Sequence, residues 1–256
     1  MRWGLPFIVL PIAGCAMTPD LPPGVSDPVP DTTETVISVL VPGVDGGEPF
    51  YMTRTEITWE LYDIFVYRRD LSGRARRAVD AEARPSRPYV LPGEGFGHNG
   101  YPALAMTRKG AAAFAEWLSE KTGQTYRLPT EAEWEHACRG SADALPEPLG
   151  DYAWHWDNAD DRTGAAGTRK PNAFGLHDML GNVAEYALAH DGAAVIKGGS
   201  YRTDAAELSC EWRQGYRPGW NASDPQFPKS TWWYVDAPFL GIRLVREVSD
   251  AQRYGS

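Results

Sequence analysis

Two carboxylates that flank a glycine-asparagine turn are the residues best placed for chemistry. In the stretch GLHDMLGNVAEY, Asp178 and Glu185 bracket Gly181 and Asn182. Two carboxylates together with nearby backbone carbonyls supply the hard oxygen ligands that calcium prefers. The same side chains can instead be structural, with Asp178 capping a turn and Glu185 pairing with an arginine. The spacing alone leaves both interpretations open.

Three cysteines form the second group of candidates: Cys15, Cys138 and Cys210. Cys138 shares one side of a predicted helix with Trp134, and Cys210 follows Leu208 at strand-like alternation, so both are expected to point inward. They are either bonded to each other or two buried, inert thiols. We expect buried thiols, because a bridge needs Cα atoms within roughly 7 Å of each other and no pattern enforces that approach.

The histidines offer no recognisable metal motif. None of the five follows an HxxxH or HExxH spacing. A three-histidine site assembled from distant loops stays an alternative. The residues are His98, His136, His155, His177 and His190.

The N-terminus is typical of a secreted protein that carries a lipid. After Arg2, the uncharged run Trp3–Gly14 is shorter than the roughly 20 residues needed to span a bilayer, and it indicates a signal peptide over residues 1–14. Ile12-Ala13-Gly14-Cys15 resembles the bacterial lipobox, which predicts lipidation of Cys15. Ala16 in place of an aspartate favours the outer membrane. An ordinary cleaved signal and an apolar N-terminal strand are the alternatives.

Composition limits the domain organisation and the partners. Residues 15–34 are rich in proline and acidic residues, so they are predicted to form an extended tether. Residues 35–250 have the apolar content for a single domain with its own core. The net charge of -9 and the pI near 5.1 argue against nucleic acid as a partner.

The periodicity predicts an α+β domain with two or three early helices and a loop-rich second half. Strands are expected over Thr35–Gly43, up to about Glu56, and in AVIKGGSY and LGIRLV. From Asp151 onward, regular periodicity nearly vanishes, and six tryptophans lie in polar loops. The first predicted helix follows the cap Thr58 and contains Leu61, Ile64 and Phe65. The second runs between Thr107 and Gly123. The third begins with the capping box of Thr130 and Glu133 and ends before Gly140.

Several long motifs together resemble one family. RLPTEAEWE, GLHDMLGNVAE, VIKGGSYR and LGIRLVRE occur in the order and spacing of the sulfatase-modifying factor family, whose founding member is the formylglycine-generating enzyme. The resemblance extends from about Pro49 to Arg246. It implies a single, irregular domain related to the C-type lectin fold.

The resemblance also implies two structural calcium sites. In the first, Asp178 and Glu185 would bind through their carboxylates, and Gly181 and Val183 through their carbonyl oxygens. A second site would begin at Asn158 and Ala159 in WDNADDRTG. The loop after it is shorter than in the family, and the next family ligand has no clear counterpart.

The family's copper chemistry is not expected here. The formylglycine-generating enzyme oxidises a substrate cysteine with two of its own cysteines, which bind Cu(I) as soft thiolates. The first of that pair corresponds to Thr203, and the second falls within Asp204–Ser209, which has no cysteine. Cys210 matches a later position at which the family can have a structural half-cystine; the resemblance implies disulfides at Cys138 and Cys210 with different partners. Copper is therefore not expected as a cofactor.

A groove with altered contents is expected beside this loop. The family's cleft tryptophan is replaced by Ala184, whereas Ser200 and Arg213 remain. Together with Thr203, they are the candidate lining of the groove. The resulting hypothesis is a lipid-anchored, periplasm-facing envelope protein that binds a protein or peptide partner. A metal-dependent oxidase or hydroxylase of the same family is the alternative, and carbohydrate binding is a weaker one.

Overall fold

A computed structural model describes residues 23–72, 93, 95–141, 145–224 and 234–254. The predicted signal peptide and Cys15 lie outside these ranges, as do two of the loop tryptophans, Trp232 and Trp233. Within these ranges, every helix is too short or too polar to cross a membrane.

A five-stranded antiparallel sheet forms one side of the domain, with strand order β1-β2-β3-β9-β4. The β-branched run that was predicted as a strand is β2, and it pairs with β1 and β3. The strands are β1 (Gly24–Pro28), β2 (Thr35–Val41), β3 (Phe50–Thr53), β4 (Tyr126–Arg127) and β9 (Val245–Arg246).

The predicted tether over residues 15–34 is wrong where the structure describes it. Gly24–Pro28 is the edge strand of the sheet and pairs in register with β2. Its Asp27 carboxylate accepts hydrogen bonds from Arg246 Nε at 2.7 Å and from the Tyr126 hydroxyl at 2.6 Å. Composition missed this strand, because backbone pairing and polar contacts hold it rather than burial of its own side chains. The domain therefore begins before residue 35.

A second sheet of four strands lies in the loop-rich half, with order β7-β6-β5-β8. β5 pairs with β6 as an antiparallel hairpin and with β8 in parallel. The strands are β5 (Ala184–Leu188), β6 (Ala194–Lys197), β7 (Arg213–Gly215) and β8 (Leu240–Gly241).

Two of the three predicted helices begin at a capping side chain, whereas Thr58 precedes the first helix without a side-chain cap hydrogen bond. The Thr107 side chain accepts from Gly110 N–H, and Gly123 ends that helix in a left-handed conformation. Thr130 and Glu133 form both hydrogen bonds of the capping box. The helices are α1 (Trp59–Tyr67), α2 (Arg108–Thr122), α3 (Glu131–Arg139) and α4 (Asp250–Tyr254).

Irregular backbone dominates the chain after residue 141, as the weak periodicity predicted. Among the described residues, short strands, 3-10 turns and the terminal helix α4 interrupt the loops there. The core lies in two apolar clusters, one between α1, α2 and the β5–β8 pair and one around Trp134 of α3. This is the α+β, loop-rich single domain expected from the sequence.

Candidate functional site

The turn between Asp178 and β5 requires the residue types found in it. Asp178 and Asn182 have positive φ values of 54° and 50°, which aspartate and asparagine tolerate better than most residues. At Gly181, a Cβ atom would lie 2.0 Å from the carbonyl oxygen of Trp154, so no larger residue fits. The backbone geometry thus accounts for the spacing of the motif without any ligand.

The Glu185 carboxylate is buried, and both of its oxygens accept hydrogen bonds. Arg243 Nε donates to both of its oxygens, at 3.0 and 3.1 Å. Trp134 Nε1 donates to the same carboxylate at 2.7 Å. The pairing of Glu185 with an arginine, which the sequence left open, is therefore present.

Arg243 ties this carboxylate to the first sheet. Its side chain is fully buried, and its remaining donors bind the carbonyl oxygens of Thr53 at 2.8 Å and His177 at 2.7 Å. The Nε, Nη1 and Nη2 atoms of the guanidinium each donate to an acceptor, which is what a buried arginine requires. Arg243 is a structural centre of the site.

Two further carboxylates lie close to this pair. Asp178 accepts the Gly167 N–H with Oδ2 at 2.6 Å, while its Oδ1 is buried without a partner. Glu56 is buried with both carboxylate oxygens unpartnered. Burial raises the pKa of both groups, and for Glu56 the negative charge of Asp178 adds to the effect. The site therefore holds three buried carboxylates around the guanidinium of Arg243.

Sequence reasoning missed Glu56 and Arg243. Each stands in a short strand-like stretch, RTEIT and LGIRLV, as a charged residue beside apolar neighbours. A charge inside an apolar run is a signal of burial with a partner, because an isolated buried charge is too costly. That signal shows burial but not which residues meet.

The residues predicted for the first calcium site do not fit an ion as they are arranged. An ion at Glu185 would compete with the guanidinium of Arg243. Among the carboxylates predicted as ligands, only Asp178, through Oδ1, has an oxygen without a hydrogen-bond partner. Within the described ranges, no three His, Cys, Asp or Glu residues are grouped to hold a metal. The structure does not test the carbonyl oxygens of Gly181 and Val183 as ligands, so calcium at this site stays a prediction.

The residues at which the second calcium site is predicted to begin take part in turn hydrogen bonds, and this site stays a prediction. Asn158 Oδ1 accepts the His155 N–H at 2.8 Å, and its amide donates to the Ala153 carbonyl at 3.1 Å. The Ala159 carbonyl accepts the Arg162 N–H at 3.1 Å. These contacts stabilise the loop by themselves.

Two of the three predicted groove residues lie together in the turn after β6. Ser200 N–H donates to Thr203 Oγ1 at 3.0 Å, and Thr203 N–H donates to the Ser200 carbonyl at 2.9 Å. The Thr203 carbonyl accepts the Trp156 N–H at 3.1 Å, and Trp156 is 53% exposed. By contrast, the Arg213 guanidinium binds Glu131 at the start of α3 at 2.7 Å.

This turn contacts the carboxylate motif directly. Gly181 N–H donates to the Gly198 carbonyl, and Tyr201 N–H donates to the Asn182 carbonyl, both at 2.9 Å. Ala184, expected to replace a cleft tryptophan, is fully buried and belongs to the core rather than to a groove wall.

Cys138 and Cys210 form a disulfide with a Cα–Cα distance of 5.6 Å. The expectation of two free thiols is therefore wrong. Polar contacts beside the bond link the two segments. Arg139 binds Glu211 at 2.8 Å, and the fully buried Lys197 of β6 donates to Glu135 at 2.7 Å and to the Glu211 carbonyl at 3.4 Å. These contacts join residues distant in sequence, so no local pattern could reveal them.

The geometry matches the sulfatase-modifying factor fold, and comparisons with known proteins agree. The family model described as "Sulfatase-modifying factor enzyme 1-like domain" matches residues 43–248. The chain belongs to this family.

Individual relatives match over part of their length. A protein named serine/threonine-protein kinase pkn1 from Chlamydia pneumoniae is 31% identical over 148 residues, which is 48% of this chain and 23% of the relative. The formylglycine-generating enzyme of Mus musculus is 28% identical over 167 residues, covering 53% of this chain and 42% of the enzyme. The chain thus aligns with less than half the length of these relatives.

A solved structure agrees with the fold over nearly the whole chain. The structure titled "Treponema denticola variable protein 1" superposes with a TM-score of 0.62 at 20% identity. The match covers 89% of this chain and 100% of that protein. At this identity, the likeness concerns the fold alone.

Proposed function

We propose that this protein is an envelope lipoprotein whose formylglycine-generating-enzyme-like domain acts as a binding or assembly module, without copper oxidase activity. The observation that carries the proposal is the disulfide. The sequence has three cysteines, and two of them are bonded to each other. Cys15 alone cannot supply the two thiolates that a Cu(I) centre of the family type needs.

The turn after β6 supports binding rather than chemistry. The Thr203 hydroxyl, at the position of the family's first catalytic cysteine, accepts a backbone hydrogen bond within its own turn. A hydroxyl is also a poor ligand for Cu(I). Next to this turn, the indole of Trp156 is more than half exposed. Exposed aromatic side chains are common at the centres of protein interfaces, which favours a protein or peptide partner.

Lipidation of Cys15 would hold this surface at the membrane. The lipobox-like Ile12-Ala13-Gly14-Cys15 supports a lipid anchor, and Ala16 supports the outer membrane, with the domain facing the periplasm. In this arrangement, the membrane contact is made through the lipid. We also propose structural calcium at Asp178 and Glu185, as the family resemblance implies, with the ion taking the place of the Arg243 guanidinium at Glu185.

Photo-crosslinking tests the binding role. A photoreactive amino acid at position 156 should produce a discrete crosslinked species in envelope preparations, whereas the same amino acid at the exposed position Glu116 on α2 should not. Equal crosslinking from both positions would contradict a specific surface. A glycan array tests the weaker carbohydrate alternative.

Metal analysis and oxygen consumption test the enzymatic alternative. The purified full chain should contain copper and iron far below one equivalent, and it should consume no oxygen with a cysteine-containing peptide. Stoichiometric copper or iron together with turnover would replace the binding proposal with a metal-dependent oxidase or hydroxylase.

A further inference from the structure

A short loop, residues 95–101, connects α1 with the turn after β6. The His98 ring of this loop stacks on the Trp59 ring of α1, with the ring centroids 5.6 Å apart. The Phe96 ring packs against Tyr201 in the turn, with the centroids 5.8 Å apart. A change in the backbone of this loop would therefore affect both α1 and the turn that contains two of the predicted groove residues.

Asn99 and Gly100 in this loop form the only Asn-Gly pair of the sequence, and both residues are exposed. Apart from the chain neighbours, no atom of the described residues lies within 4 Å of the position that a Cβ atom at Gly100 would take. Because glycine has no side chain, its backbone nitrogen is unobstructed for attack on the preceding side-chain amide. The other four asparagines are each followed by alanine or valine; they are Asn158, Asn172, Asn182 and Asn221.

A carboxylate lies at the hydrogen of the nitrogen that would attack. The Gly100 N–H donates to Glu60 Oε1 of α1. The second oxygen of this carboxylate, Oε2, is buried and has no hydrogen-bond partner among the described residues. An amide nitrogen must lose its proton to become a nucleophile, and a carboxylate within hydrogen-bond distance can accept that proton. Glu60 is therefore placed as a general base for Gly100.

A histidine lies at the oxygen on which negative charge would develop. His98 Nδ1 is 2.9 Å from Asn99 Oδ1, and His98 Nε2 is 3.3 Å from Asp63 Oδ2. When both ring nitrogens carry a proton, the ring donates to both of these acceptors. A donor at Asn99 Oδ1 stabilises the oxyanion that forms when a nitrogen adds to the side-chain carbon. Asp63 and the stacking on Trp59 hold the ring in this position.

We propose that Asn99 is a site of deamidation that the fold itself promotes, with Glu60 as the base and His98 as the oxyanion donor. The Gly100 nitrogen forms a bond to Asn99 Cγ and gives its proton to Glu60. The bond between Cγ and the side-chain nitrogen then breaks, and the proton leaves with that nitrogen as ammonia. One water molecule opens the resulting succinimide to aspartate or isoaspartate. The reaction consumes water, releases ammonia and needs no oxidant or reductant.

The product would change the contacts of the loop. Isoaspartate places an additional methylene group in the backbone before Gly100, whose N–H binds Glu60 and whose carbonyl accepts the Ala166 N–H at 2.8 Å. Both hydrogen bonds would have to shift. The new carboxylate also adds negative charge beside Glu60 and the buried Asp63, and like charges at this distance repel each other. We therefore expect the modified loop to be held less firmly between α1 and the turn.

Mass spectrometry of the purified full chain during incubation near neutral pH tests the proposal. Peptide mapping should show the mass increase from amide to acid at Asn99, and ammonia should be released in equal amount. The reference is the synthetic peptide FGHNGYPA, residues 96–103, which has the same Asn-Gly pair without Glu60. The folded chain should react about tenfold faster than this peptide or more, because base and donor are already in place. The four other asparagines should stay unchanged over the same period.

Three variants separate the contributions of the side chains. Glu60→Gln keeps an acceptor for the Gly100 N–H but removes the base, so the rate should fall by about tenfold or more. His98→Phe keeps a ring that can stack on Trp59 and removes the donor to Asn99, so it should also slow the reaction. Glu116→Gln removes an exposed acid on α2 and should leave the rate unchanged.

Several results would overturn the proposal. They are a reaction in the folded chain that is no faster than in the peptide, an unchanged rate in Glu60→Gln, and equal reaction at the asparagines that precede alanine or valine. Circular dichroism and a cooperative melting curve establish that each variant is folded before incubation. The comparison of the wild-type chain with the peptide decides the question even if a variant fails to fold.

Discussion

Arg243 binds both carboxylate oxygens of Glu185, and the two residues hold the second sheet against the first. The guanidinium is fully buried and also binds the carbonyl of Thr53, the last residue of β3. Removing a cation from such a pair leaves buried carboxylates without compensation, which costs more than losing the pair's own attraction.

Arg243→Met should therefore destabilise the domain strongly. We expect the free energy of unfolding to fall by about 3–5 kcal/mol, measured by urea denaturation. Arg213→Met is the matched control, because the half-exposed Arg213–Glu131 pair should contribute about 1 kcal/mol or less. If both variants lose the same free energy, the buried network does not have the role assigned to it.

Glu56 should make the stability depend on pH. Its pKa in the folded protein is well above the ordinary value of 4.5, because the carboxyl is buried and lies near Asp178. A raised folded pKa means that the folded state retains the proton longer than the unfolded state. The associated stability is fully present below about pH 4.5 and is lost as the pH rises through the folded pKa.

Glu56→Gln, which resembles the protonated acid, should remove this dependence. Compared with wild type, the variant should gain free energy of unfolding as the pH rises from 5 to 8, as measured by urea denaturation at each pH in chelator-treated buffer. Glu116→Gln should follow the wild-type curve. Parallel curves for wild type and Glu56→Gln would show that Glu56 is ionised or compensated in the fold.

Local signals in the sequence predicted the fold well, whereas contacts between residues distant in the sequence could not be predicted from it. Thr130 and Glu133 are three residues apart, so their capping box could be recognised directly. The strand Gly24–Pro28 was missed because it depends on pairing with β2 and on Arg246, which lies at the other end of the chain. Local composition contains no information about either partner.

The same distinction applies to the site. The turn chemistry of Gly181 and Asn182 follows from local backbone geometry and was recognised as a motif. The meeting of Glu56 with Asp178 and Arg243 depends on packing of both sheets, and three separate chain segments contribute to it. The motif therefore indicated where a site lies, but not which charges occupy it.

Lipidation can be tested at Cys15. Cys15→Ser should prevent incorporation of labelled fatty acid and should leave the protein either uncleaved in the inner membrane or soluble. The wild-type protein should carry the mass of the acyl groups, measured on the intact chain. A wild-type protein that is cleaved elsewhere and has no acyl mass would refute the lipid anchor.

The disulfide gives the last prediction. It closes a sequence separation of 72 residues between α3 and the segment before β7. A cross-link over a loop of this length restricts the unfolded chain, and its loss should cost about 4 kcal/mol in the chain-entropy description. Cys138→Ser/Cys210→Ser should show this loss in urea denaturation, and wild type with reductant should approach the same value.

Thiol titration in denaturant without reductant checks the bond itself. In a chain whose Cys15 is acylated or replaced by serine, no thiol should react, and two should react after reduction. Two reactive thiols before reduction would show that Cys138 and Cys210 are free. A thiol that reacts rapidly in the native protein would further indicate a depressed pKa and restore the enzymatic alternative, because thiolates are the reactive form of cysteine.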